Sequence, residues 1–238
     1  MIMKKIEIKG EIIPNDDQEM YDWFGIDAVS PKKVLSELGV AGGDDIEIEI
    51  NSIGGDVVSA SEISTAIRSY AGNKQINVVG LAASAASVIA MSAKSSIAPT
   101  ALLMVHNAST IASGDYRDMQ HAAELLKTVN KAVANAYMEK TGLSEKELFA
   151  IMDKETWMSA QDAVKNKFID SIMFIDKTGS HQSNAFYNGH GLISRQTAEK
   201  IRNEYMKHVN AGNVENKPED ARKIMAQLEL LRLKGEQK

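Results

Sequence analysis

Apolar and polar residues alternate along residues 4–13, with Ile6, Ile8 and Ile12 on one face, and this spacing predicts a strand. Pro14-Asn15-Asp16-Asp17 breaks the alternation into an exposed turn. Ser30-Pro31 supplies a cap followed by proline at the first helical position, starting a short helix that Gly39 is placed to end. Ala41-Gly42-Gly43-Asp44 returns the chain to the sheet, where Ile46-Glu47-Ile48-Glu49-Ile50 alternates strictly and runs into the glycine turn Asn51-Ser52-Ile53-Gly54-Gly55-Asp56. Residues 57–70 then carry Val58, Ile63, Ala66, Ile67 and Tyr70 at helical spacing, with Gly72 as the stop. A second such unit follows. The strand at 75–79 gives way at Gly80 to an Ala-rich helical segment ending near Ala93, and Ser84 sits at the junction. A third strand, 101–105, ends at His106, and 107–114 is a polar loop.

Residues 115–140 predict a long amphipathic helix with Ala122, Leu125, Leu126, Val129, Val133, Ala136 and Tyr137 on one side, stopped near Gly142 and too long for a simple crossover. Ser144 with Glu147 forms a capping box for a short helix to about 152, and Ser159 with Asp162 resembles the start of another. Between them lies Asp153-Lys154-Glu155-Thr156-Trp157, and 168–175 reads as a last strand. The compact domain is expected over 1–176, a polar linker over 177–193 and a helical tail over 194–238, in which Ile224, Leu228 and Leu231 share a face suited to packing or oligomer contact.

Repeated β-turn-α units imply an α/β fold with parallel strands and outer helices, and functional turns in such sheets cluster at the strands' carboxyl ends. Gly54-Gly55, Ser84 and His106 all fall there. Composition narrows the chemistry. With 27 Lys and Arg against 32 Asp and Glu and no basic stripe, nucleic acid is not an expected partner. The absence of cysteine removes disulfides, thiolate metal sites and a cysteine nucleophile, and fits the cytoplasm. No apolar run approaches a membrane span, and the first ten residues read as a strand rather than a signal peptide. His121, His181, His190 and His208 have no partner at ligand spacing and read as surface residues, so neither metal nor cofactor is expected.

A serine at a strand-to-helix junction lies beside the unpaired amides of a helix's first turn, and small neighbours let another backbone approach. Its hydroxyl becomes a nucleophile when a histidine takes the proton, an acid orients the imidazolium, and donors stabilise the carbonyl oxygen as it becomes anionic. Ser84, His106 and the acidic residues Asp153 and Glu155 are candidates for these roles, with Asp170 a more distant choice of acid. The bland alternative is a buried Ala/Ser-rich helix in which Ser84 is only a cap and Ser87 merely small.

Asn51-Ser52-Ile53-Gly54-Gly55, Gly80-Leu81-Ala82-Ala83-Ser84, Met104-Val105-His106-Asn107 and Trp157-Met158-Ser159-Ala160 resemble the ordered motifs of the ClpP serine peptidases, over about residues 4–175. That resemblance implies the ClpP/crotonase fold, with Ser84 as nucleophile, His106 as base, the amides of Gly55 and Ala85 as oxyanion-hole donors, and 115–140 as the handle through which two rings meet. The family's acid is usually an aspartate two residues before the aromatic of the last motif; Glu155 stands there, with Asp153 as the second choice. Ile53 occupies a place that often holds proline. Glu155-Thr156-Trp157, together with the linker and tail, resembles the phage and prophage branch, whose members are head maturation proteases.

The resemblance therefore implies a serine endopeptidase acting on protein or peptide substrates, ATP-independent or ATPase-assisted, working as a ring-type homo-oligomer on capsid or scaffold precursors. Its alternative is a cellular ClpP-like degradative peptidase served by an unfoldase ATPase. A crotonase-like acyl-CoA enzyme and an inactive scaffold are the rival classes. The set of nucleophile, base and acid argues against both.

Overall fold

The computed structural model describes residues 3–174. In chain order these form β1 (Lys4–Ile12), a 3-10 turn (Asn15–Asp17), α1 (Gln18–Phe24), β2 (Ala28–Val29), α2 (Pro31–Ala41), β3 (Ile46–Gly55), α3 (Val57–Ser69), β4 (Lys74–Ala83) and α4 (Ala85–Ala90). Then follow β5 (Lys94–Ile97), β6 (Leu102–Val105), α5 (Tyr116–Thr141), α6 (Glu145–Met152), β7 (Thr156–Ser159), α7 (Ala160–Lys165) and β8 (Ser171–Ile172). The sheet runs β2-β1-β3-β4-β5-β8 with every pair parallel, while β6 pairs with β4 in parallel and with β7 antiparallel. The α/β class and the succession of β-turn-α units read from the sequence are those observed.

The period-2 pattern of β1, β3 and β4 sends Ile6, Ile8, Ile46, Ile48, Ile50, Ile76 and Val78 to one face, where all are buried. Ile63 and Ile67 of α3 and Val34 of α2 join the same cluster. Each fully buried branched side chain of this kind contributes about 1.5–3 kcal/mol relative to exposure. The opposite face of these strands is polar, with Lys5 paired to Glu49 at 2.7 Å and Asn77 hydrogen-bonded to Glu47.

Several expectations are corrected. Gly39 does not end α2; the helix continues to Ala41 and closes on Gly42, whose left-handed backbone (φ 61°) lets its amide reach back to the carbonyls of Leu38 and Gly39. The region after Pro14 is a short helix, not only a turn, because Met20 and Tyr21 bury against Ile13 and Ala28. Val58 is 76% exposed rather than core, since the inward face of α3 uses Ala60, Ile63 and Ile67. The Ala-rich helix stops at Ala90, and Lys94–Ile97 forms an unforeseen strand whose Ser95 and Ser96 are buried. Phe168 and Ile169 are buried in a loop, and only Ser171–Ile172 pair as a strand. The expected linker and tail lie outside the described residues.

One irregularity positions the site. β4 pairs with β5 only over Gln75–Val78, and with β6 only over Leu81–Ala83. Between these stretches its register against β3 shifts, from Ile50 opposite Val78 to Ser52 opposite Ala82. Gly80 lies in the shift, where a Cβ would fall 2.4 Å from Asn51 Oδ1, so the glycine makes room for the Asn51 side chain. The strand therefore changes neighbours on one side midway, β5 giving way to β6, which in turn pairs with β7, while β3 stays beside it.

Candidate active site

β4, β6 and β7 bring the candidate residues to one edge. Ser84 follows β4 and His106 follows β6, and the Ser84 amide donates to Met104 O at 3.0 Å, aligning the two strand ends. Because β6 and β7 are antiparallel, with Met104 opposite Trp157 and Val105 opposite Thr156, the next position in that register sets His106 across from Glu155. Thus the serine and the histidine meet although 22 positions separate them, and the family-position acid lies on the neighbouring strand end.

Ser84 Oγ lies 2.7 Å from His106 Nε2, and both residues are half-buried. With Nε2 as acceptor, the histidine carries its proton on Nδ1, the tautomer that can take the serine proton. Burial pushes the His106 pKa below its ordinary 6.5, with the charge of Glu155 opposing, which favours the neutral ring that can accept a proton. Asn130 of α5 accepts from the Ala108 amide at 2.7 Å and holds the loop that follows the histidine.

The backbone of Ser84 is strained, with φ 54° and ψ −126°. For a non-glycine residue this conformation costs on the order of 1–3 kcal/mol, and such strain collects at functional sites. It turns the strand sharply into α4 and presents the hydroxyl at the sheet edge. Ser87 secures the turn: its amide donates to Ser84 O at 3.0 Å and its hydroxyl donates to the same oxygen at 2.6 Å. On sequence grounds Ser87 was only a small residue. The signal that could have found it is the three-residue spacing from Ser84, the reach of a first-turn hydroxyl to the cap carbonyl.

Gly54 packs directly beneath this turn. Its φ is +94°, and a Cβ there would lie 2.7 Å from both Ala83 O and Ser84 Cβ and 3.0 Å from Ala85 N. The next residue, Gly55, lies past the last paired position of β3 and β4. Since the Asp56 amide donates to Ile12 O of β1 at 2.8 Å, alternation along the strand turns the Gly55 amide away from β1, to the β4 side. Ala85 opens α4 with a first-turn amide that has no intrahelical acceptor.

The acids fall differently. Glu155 is exposed, sits at φ 47° and accepts from Trp157 Nε1 at 3.4 Å; its charge reaches His106, but no hydrogen bond joins them among the described residues. Asp153 caps α6 and accepts from Asn107 Nδ2 at 2.8 Å. Asp170 is removed from consideration: it bonds the Ser95 amide at 2.7 Å and pairs with Lys140. Ser95 is level with Ile76 at the start of β4, about 25 Å of strand from Ser84. Of the other histidines, His121 is exposed on α5, and His181, His190 and His208 lie outside the described residues. No group of three His, Asp or Glu side chains is arranged to hold a metal ion among the described residues.

Residues 30–176 match the Clp protease family. The chain is 34% identical over 139 residues to ATP-dependent Clp protease proteolytic subunit 1 of Chlamydia trachomatis serovar D, covering 56% of this chain and 71% of that one. It is 32% identical over 134 residues to the ATP-dependent Clp protease proteolytic subunit of Streptococcus pneumoniae, covering 54% and 68%. Among solved structures, a ClpP1 point mutant from Listeria monocytogenes superposes with a TM-score of 0.59 at 21% identity, over 71% of this chain and 91% of that one, a likeness of fold. With a family match that spans most of the chain, the protein belongs to the Clp protease family.

Proposed function

We propose that the chain is a serine-type endopeptidase, with Ser84 as nucleophile, His106 as general base and acid, and the amides of Gly55 and Ala85 as oxyanion hole. The observation that carries this reading is the 2.7 Å contact between His106 Nε2 and Ser84 Oγ at a strained strand-to-helix turn. As Oγ bonds to the peptide carbonyl carbon, its proton passes to Nε2, and the carbonyl oxygen becomes an anion facing the two amides. Collapse breaks the C–N bond, the imidazolium gives its proton to the leaving amine, and an acyl-enzyme remains. Water then attacks the ester with His106 again accepting the proton, and the acid product leaves with Ser84 restored. The test is hydrolysis of an unstructured protein by the purified chain, present in the wild type and absent in Ser84→Ala.

Glu155 is the acid this reading favours, on two grounds: the β6–β7 register sets it across from His106, and its charge reaches the ring, whereas Asp153 is engaged by Asn107. In the ground state its carboxylate lies on Trp157, so it must swing to Nδ1 when the imidazolium forms. Glu155→Gln should lower kcat about ten- to a hundredfold, the worth of one charge-assisted hydrogen bond, and Asp153→Asn much less. The acid limb of kcat/KM against pH should fall below 6.5 in the wild type. Because the carboxylate charge raises the His106 pKa, Glu155→Gln should move that limb lower still. A limb that stays put, with Asp153→Asn the more damaging change, would reassign the acid.

A ring-type homo-oligomer enclosing Ser84 is part of the proposal. Its support is α5, whose last turns bury Val133, Ala134 and Tyr137 in the subunit core while Tyr116, Met119 and Leu125 stand exposed. Val133, at 8% exposure, belongs to the subunit's own core, so a charge there would test folding rather than assembly. Met119→Glu with Leu125→Glu is the sharper variant, because each charge would be desolvated at an interface at a cost of several kcal/mol. The light-scattering mass should fall to smaller species in that variant. A one-chain mass for the unmodified protein would refute the ring.

Two substrate readings have separate support. The likeness of Glu155-Thr156-Trp157 to phage head maturation proteases favours capsid or scaffold precursors cut during assembly. The relatives' own names, proteolytic subunits of ATP-dependent proteases, favour a degradative subunit served by an ATPase. Cleavage of a folded precursor without ATP decides for the first, and cleavage only with an added unfoldase for the second. No helix among the described residues is long and apolar enough to cross a membrane.

A further inference from the structure

The hydroxyl of Tyr137 lies 2.7 Å from Ser87 Oγ, deep in the subunit where both side chains are fully buried. Fifty positions separate the two residues, and their contact joins α5 to the first turn of α4. The direction of the hydrogen bonds is fixed by counting protons. Ser87 has a single hydroxyl hydrogen, and at 2.6 Å from Ser84 O, an oxygen that cannot donate, that hydrogen must point at the carbonyl. Ser87 Oγ is therefore the acceptor toward Tyr137. The chain runs one way: Tyr137 O–H to Ser87 Oγ, Ser87 O–H to Ser84 C=O.

The end of that chain is the peptide between Ser84 and Ala85. In a planar trans peptide the C=O and the following N–H point in opposite directions, so a carbonyl pinned inward fixes the amide outward. Here the pinned carbonyl is that of Ser84 and the amide is that of Ala85. We infer that Tyr137 and Ser87 are positioning residues that hold the Ala85 amide on the oxyanion, an inference that rests on the serine-peptidase reading of the site. The strain at Ser84 is what makes the device necessary, since the peptide on its carboxyl side would otherwise relax toward an ordinary ψ. Polarisation along the chain also draws electron density toward the carbonyl oxygen, which makes the Ala85 N–H a better donor. The ring of Tyr137 is buried and set edge-on to Phe168, centroids 5.8 Å apart, a packing that favours the phenol's position on Ser87.

Tyr137→Phe in the full chain keeps the ring and its packing and removes only the hydroxyl. A misaimed or weakened oxyanion donor acts in the transition state and not on bound substrate. Expected are a fall in kcat of about three- to tenfold, the worth of one neutral hydrogen bond, with KM within twofold of wild type. The inhibition constant of a peptide aldehyde, whose hemiacetal oxygen sits where the oxyanion forms, should rise by the same factor. Ser87→Ala should show the same split, and adding Tyr137→Phe to it should cost little more, because the two act in series.

Wild-type kcat and aldehyde affinity in Tyr137→Phe would overturn the inference. So would kcat and KM worsening together with a lower melting temperature, the mark of a packing role. Fluorophosphonate labelling of the wild type at Ser84 separates the two levels. If Ser84 labels and Tyr137→Phe is indistinguishable from wild type, only the relay fails; if Ser84 does not label, the peptidase reading fails and the inference falls with it.

Discussion

Ser84→Ala abolishes fluorophosphonate labelling and lowers peptide hydrolysis by about 10⁴- to 10⁶-fold, and His106→Ala does nearly the same, if the 2.7 Å pair performs the chemistry assigned to it. The double variant should be no worse than either single one, since without the base the hydroxyl is not activated and without the hydroxyl the base has nothing to activate. Folding is not at risk in these variants: Ser84 is half-buried and its own carbonyl, not its side chain, carries the bonds to Ser87. A further variant separates strain from chemistry. At φ 54° glycine is the relaxed residue, so Ser84→Gly should be inactive yet melt above the wild type, by the stability that about 1 kcal/mol supplies. An active Ser84→Ala enzyme would remove the nucleophile from this site.

Gly54→Ala carries the second large effect. A methyl group at this position would lie 2.7 Å from a backbone carbonyl oxygen and from Ser84 Cβ, a separation real Cβ atoms do not tolerate, and φ +94° is itself closed to alanine. The turn that holds Ser84 must move, and a displacement near 1 Å at a reacting group costs about a hundredfold in rate. Stability should drop by about 1–3 kcal/mol as well. Gly25→Ala is the matched control: its φ is +65°, but no atom lies within 4 Å of the added Cβ, so it should lose stability without losing turnover. Equal activity of Gly54→Ala and wild type would show that the glycine turn does not bear on the nucleophile.

The parts of the fold legible in the sequence are those whose side-chain period is long and clean. β3 shows five residues of strict alternation, and α5 keeps one apolar side through most of its length, so both are plain without coordinates. β5 is hidden because two of its three buried residues are serines, Ser96 bonded to Asn77 and Ser95 to Asp170, which leaves Ile97 as its one apolar residue; polar side chains satisfied by distant partners erase the apolar signal. β7 is hidden because it has four residues and its Trp157 is exposed. Phe168 and Ile169 mislead in the other direction, since a loop can bury apolar residues as fully as a strand. At the site, Ser84 and His106 were legible because strand ends mark them. The bond from Ser87 to Tyr137 was not, because no local pattern pairs residues on helices that meet only after folding.

β4 leaves one neighbour for another at Gly80, and this bears on how error spreads through the molecule. The alignment of Ser84 with His106 is set by three residue pairs, Leu81 with Leu102, Ala82 with Leu103 and Ala83 with Met104, with Ser52 and Gly54 of β3 bracing the other side of the same stretch. The 98–101 connection separates β5 from β6, so a shift of β5 along β4 can be taken up there before it reaches β6 and His106. The large sheet is in this sense a foundation with wide tolerances, and the reactive pair is machined on a much smaller bed at one end of it. Substitutions in the sheet's core should thus accumulate as lost stability long before they appear as lost alignment, whereas a change at any of those six residues skips that reserve.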